Sequence, residues 1–67
     1  MTQKEKSIFA SVLTKFREQY PKKNINFVGE YGDELVTIDG EGKFNTTGYN
    51  LLDNLYRLCE CLKKELI

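Results

Sequence analysis

The chain has 67 residues, ten acidic and ten basic side chains, and no histidine. That describes one small domain over residues 1–67 and excludes chemistry that depends on an imidazole. Hydrophobic residues make up 40% and charged residues 30%, which suits a folded domain rather than a disordered segment.

The first element predicted is a helix over Gln3–Gln19. Thr2 with Glu5 three residues on is a capping box. Ile8, Phe9, Val12, Leu13 and Phe16 fall at helical offsets on one face. Pro21 disfavours helical geometry at Tyr20, so the helix ends there. After PKKN, INFV reads as a strand over Ile25–Val28. Glu30-Tyr31-Gly32-Asp33 reads as a turn, and Glu34–Asp39 as a second strand. Alternation sets Ile25 and Phe27 on one face with Val36 and Ile38. Val28 and Leu35 then lie on the other. The stretch DGEGKFNTTG opens with Asp39-Gly40, a favoured hairpin turn because both residues tolerate positive φ. Gly42–Asn45 is expected as a short third strand with Phe44 turned inward. Asn45, Thr46 and Thr47 are candidate N-caps for a last helix over Thr47–Glu65. Its apolar stripe is read as Leu51, Leu52, Leu55, Leu58, Cys59, Leu62 and Leu66, with Cys61 on the polar side and Tyr49 and Tyr56 on one flank. Asp53–Arg57 and Glu60–Lys64 are helix salt pairs in the favourable order. The expected fold class is α+β, in the order α-β-β-(β)-α, with two helices packed on one face of a small antiparallel sheet.

DGEGKFNTTG is the stretch most like a ligand loop, and it fails each test of one. A phosphate loop needs Gly-Lys followed by Ser or Thr, and Phe44 stands there. A dinucleotide fingerprint needs a longer parallel unit. An EF-hand calcium loop beginning at Asp39 meets Lys43 where an oxygen ligand is wanted. Two cysteines without histidine cannot fill a zinc site, and Cys61 has no imidazole to activate it. Glu30, Asp33 and Glu34 lack an apolar pocket to raise one carboxyl. The expectation is therefore no enzyme, no catalytic residue, no cofactor, no metal and no small-molecule substrate.

The order of elements and the segment GEGK at Gly40–Lys43 resemble double-stranded-RNA-binding domains. That family follows its Gly-x-Gly segment with lysines that grip phosphates from the helix start. Here Phe44-Asn45-Thr46-Thr47 follows instead, and the stretch before GEG is short for two strands of that family's length. The likeness covers four residues and carries no assignment.

Residues 1–24 hold six Lys or Arg against two acids, and residues 25–56 six acids against one Lys. Such patterning speaks to association rather than fold. Lys15, Arg17, Lys22 and Lys23 could form a basic corner for nucleic acid, with Tyr20 as a stacking ring. The acidic hairpin would oppose it. Protein association is the favoured reading. Helices cover one sheet face and leave Val28 and Leu35 on the other, with Tyr31 near the turn. Free sheet edges invite strand addition. The expected partner is another protein or a second copy, giving a homodimer through that face or edge. Val28, Tyr31, Leu35, Tyr49, Tyr56 and Arg57 are the candidate contacts. Free thiols and the lack of a signal-peptide core or spanning segment in the sequence lead to an expected cytoplasmic location.

Overall fold

Thr2 opens the first helix as its spacing predicts. In a computed structural model, which describes residues 1–30 and 33–66, α1 runs Gln3–Gln19. The Thr2 hydroxyl accepts the Glu5 N–H at 3.2 Å, and the Glu5 carboxylate accepts the Thr2 N–H at 2.9 Å. Both bonds satisfy donors that have no partner inside the helix. Three strands follow: β1 over Ile25–Glu30, β2 over Asp33–Ile38 and β3 over Glu41–Asn45. They form one antiparallel sheet in the order β1-β2-β3. The second helix, α2, covers Leu51–Leu66. The α+β architecture, α-β-β-β-α, is the expected one.

Register follows the expected alternation. Ile25 stands opposite Ile38 and Phe27 opposite Val36, while Val28 pairs with Leu35 on the other face. Phe9 and Leu13 of α1, Leu58 and Leu62 of α2, and Ile25, Val36 and Ile38 of the sheet form the buried core. Phe9 meets Phe27 edge to face, with ring centroids 5.0 Å apart. Both helices therefore lie on one face of the sheet. They run in the same direction. The N-terminal amine donates to the carbonyl of Tyr49 just before α2, and the segment after α1 shares a cleft with Glu65 near the end of α2.

Asp39-Gly40 makes the predicted hairpin, with φ of 54° and 82°. Those signs are the ones a two-residue turn needs to match strand twist. β3 then gains one residue: Val36 pairs with Phe44, Thr37 with Gly42, and Lys43 is left over. This bulge re-aims Lys43, whose ammonium pairs with Glu65 of α2 and, at 3.4 Å, with Glu41. Phe44 packs against the core as expected.

The start of α2 differs from the expectation. It begins at Leu51 rather than Thr47, and Asn50 is the cap, accepting the Asp53 N–H at 2.9 Å. Two features hold the chain out of the helix until then. Thr46 is buried, its hydroxyl 2.7 Å from the Glu34 carboxylate and its N–H on the Glu34 carbonyl. Gly48 then takes a positive φ of 81°. Asn45 accepts the Thr47 N–H in a local turn instead of capping a helix.

The inward face of α2 is also rotated. Leu51, Leu55, Leu58 and Leu62 pack inward as read, but Asn54 and Cys61 join them in place of Leu52 and Cys59. Cys59 is exposed and Cys61 partly buried, the reverse of the sequence reading. Arg57 explains the rotation. Its guanidinium lies between the rings of Tyr49 and Phe44, at 3.9 and 4.6 Å from their centroids. It also donates to the carbonyl of Asn45 and the amide oxygen of Asn54. Seating Arg57 against β3 turns Asn54 and Cys61 in, and Leu52 and Cys59 out.

Candidate interaction surfaces

Each edge of the sheet is occupied by an arginine. Asp39 N–H bonds to Asn24 C=O at 2.8 Å. Antiparallel alternation then turns the backbone groups of Ile25 and Phe27 outward. Arg17 of α1 donates its Nε–H to that outward carbonyl of Ile25. On the opposite edge, Arg57 of α2 takes the outward carbonyl of Asn45 at 2.6 Å. The free edges expected from sequence are thus partly capped.

The outer sheet face carries Val28, 49% exposed, beside a half-buried Leu35. Leu35 covers the space where Gly42 lacks a side chain; a Cβ there would sit 3.4 Å from a Leu35 methyl. Asn26 and Thr37 pair on the same face, so its apolar patch is small. The helix layer exposes more. Leu52 is 76% and Tyr56 67% exposed, with exposed Cys59 one turn further. At 100° per residue these three form a stripe on the outer side of α2. Ile8 of α1 is 43% exposed, and its position places it on the side of α1 that faces α2. The sequence reading put Leu52 in the core and so missed this stripe.

The six candidate contacts therefore do not converge. Val28 and Leu35 lie on the outer sheet face. Tyr56 lies on the outer side of α2. Tyr49 and Arg57 are stacked on each other at the β3 edge, Arg57 serving as an internal clamp. Tyr31 lies outside the described residues.

The basic corner is divided as well. Arg17 is committed to Ile25. Lys23 pairs with Asp39 at 3.4 Å. Lys15 and Lys22 are exposed, and Lys22 lines a cleft of about 380 Å³ with Tyr20, Pro21 and Glu65.

A second groove, about 390 Å³, opens between β3 and α2, lined by Phe44, Tyr56, Arg57, Cys61 and Lys64 among others. Of its charged residues, Lys43 pairs with Glu65, and Glu60 pairs with Lys63 outside the groove, in place of the Lys64 expected from the sequence. The Glu65 hydrogen bond raises the Lys43 pKa and holds the ammonium charged. Burial pushes the Cys61 thiol up, which lowers the fraction present as thiolate. GEGK, the segment that resembles RNA-binding domains, forms the β2–β3 turn and bulge, with its lysine bound to Glu65 and Glu41. Among the described residues, no group of three or more Cys, Asp or Glu is arranged to hold a metal ion, and no helix is long and apolar enough to cross a membrane.

Comparison with known proteins adds no relative: no family model, no curated protein and no solved structure matches the chain.

Proposed function

We propose that this chain is a small non-enzymatic interaction module that binds a protein, or a second copy of itself, through the outer side of its helix layer. The observation that carries the reading is the Leu52–Tyr56–Cys59 stripe. Isolated exposed apolar side chains are ordinary, but a contiguous exposed stripe on a soluble domain marks a contact surface. Tyrosine suits such a surface because it offers a large rigid area at little entropic cost. The raised thiol of Cys61 agrees with a non-catalytic reading. Val28 with Leu35 is the lesser surface, since Leu35 is already half-covered.

Leu52 and Tyr56 are exposed, so the double variant L52E/Y56E keeps the fold, which circular dichroism checks. Association, with itself or with a cross-linked partner in cell extract, is expected to vanish in L52E/Y56E and persist in V28E. Association unchanged by L52E/Y56E overturns the reading. A gel shift with RNA or DNA at physiological salt, lost in K22E/K23E, overturns it in favour of the basic corner.

A further inference from the structure

We infer that α2 is a two-state element: the Arg57 clamp holds it in the orientation that exposes Leu52 and Cys59, and release of the clamp lets it roll about its own axis and bury them. The inference rests on the proposed function and deepens it, since the roll decides whether the proposed contact stripe is on the surface.

The sequence of α2 fits two orientations. Leu51, Leu55, Leu58 and Leu62 make a central stripe at helical spacing. Asn54 and Cys61 stand on one flank of it, Leu52 and Cys59 on the other. At 3.6 residues per turn, a roll of roughly 60° exchanges the flanks and keeps the central leucines inward. Hydrophobic patterning favours burying the leucine flank. The fold buries the other: Asn54 is fully buried and Leu52 is 76% exposed. A local preference overruled in this way marks two packings that compete.

What overrules it is centred on Arg57. Its guanidinium is held between the Phe44 and Tyr49 rings, and one of its nitrogens bonds to the Asn45 carbonyl and the Asn54 amide oxygen. The roll that brings Leu52 inward swings Arg57 away from β3 and carries Asn54 out with it. Water then serves Asn54, so no buried polar group is left unpaired. Partly buried Cys61 and exposed Cys59 change places. Cysteine replaces cysteine and leucine replaces asparagine, so the core loses no apolar group.

A partner seated on the stripe binds only the clamped state. It therefore raises the population of that state, and its apparent affinity falls with the fraction clamped. Arg57 governs binding in this way without touching the partner.

Thiol modification by iodoacetamide tests the roll in the single-cysteine variants C59S and C61S, each with and without R57A. With Arg57 present, Cys59 should react faster than Cys61. R57A should lower the ratio of the Cys59 rate to the Cys61 rate by about tenfold or more, the weight of a hydrogen bond from a charged group. Adding L52E to R57A should restore the ratio, because burying an unpaired carboxylate is costly. Circular dichroism checks the fold. If R57A unfolds, R57K makes the same comparison, having lost the planar fork but kept the stem. A ratio unchanged by loss of the fork overturns the inference. So does equal acceleration of both thiols, which is the mark of local unfolding, and so does a ratio that L52E leaves low. Each of those results leaves the proposed function standing. Association untouched by L52E/Y56E overturns the proposed function, and the thiol ratio still decides whether α2 rolls.

Discussion

Asp39 serves two ends at once. Its backbone takes the positive φ that the β2–β3 turn needs, and its carboxylate reaches back across the sheet to the Asn24 N–H at 3.0 Å and to Lys23. The Asn24 bond, then the Lys23 charge, hold its carboxyl below the usual carboxylate range. The folded chain therefore binds this proton less readily than the unfolded chain does. The contribution is fully present above the unfolded value of about 4 and is lost as pH falls through the lower folded value. D39N keeps the turn conformation and an acceptor but cannot titrate. Its melting temperature should drop less between about pH 5 and pH 3 than that of the wild type. An equal drop would show that other carboxylates carry the acid sensitivity. Glu5 shifts in the same direction, through its Thr2 cap, so some acid sensitivity remains in D39N.

The buried polar residues work the same way at short range. Asn54 is fully buried, donating to the Tyr49 and Asn50 carbonyls and accepting from Arg57. Glu34 is buried with Thr46 on one oxygen and Lys6 3.3 Å from the other. Buried polar groups are tolerated when their hydrogen bonds are met. No reading of composition flags them: the partners of Glu34 are far away in sequence, and those of Asn54, though local, count only once the helix face is known.

The elements themselves were legible in proportion to how local their signals are. The capping box and Pro21 bound α1 to the residue, and Asp39-Gly40 sets the turn. Alternation assigned the strand faces correctly. α2 was read less well at both its start and its face. Three consecutive polar residues all qualify as caps by type, and only the tie between Thr46 and Glu34 moves the start to Leu51. Leucine or cysteine also falls on two overlapping faces of α2. A tertiary clamp by Arg57 chooses between them, so the exposed stripe stays hidden until the fold is known. The cap assignment makes its own prediction. N50A should lower stability by about 1 kcal/mol, the usual loss for a helix N-cap. T47A should change it less than N50A. Denaturant titration of both variants checks the order, and the reverse order would return the helix start to Thr47.

At the scale of the whole molecule, the sheet is covered on one face by both helices and bare on the other. Its charge is balanced overall but not locally. A neutral chain has little net repulsion to keep copies apart, so contacts between copies are governed by shape and by local sign. That makes the helix layer, where Leu52, Tyr56 and Cys59 are exposed among charged residues, the part of the surface with the most to discriminate. Nothing in the linear order of residues shows that Met1 and Tyr49 stand side by side. That follows only from two helices laid side by side in one direction.

The paired arginines at the sheet edges have a consequence for the chain in a crowded solution. A three-stranded sheet with two bare borders can grow by stacking further copies, and such growth ends in fibres. Arg17 and Arg57 each place a positive charge and a bulky fork where the next strand would have to bond, at Ile25 and Asn45. On that ground they are expected to act as stops on polymerisation as well as supports of the fold. R17M/R57M keeps side-chain bulk and removes both stops. It should form thioflavin-positive fibres after a shorter lag than the wild type, at conditions where each remains folded. An unchanged lag would mean that the bulge in β3 and the bare backbone of Phe27 set the barrier instead.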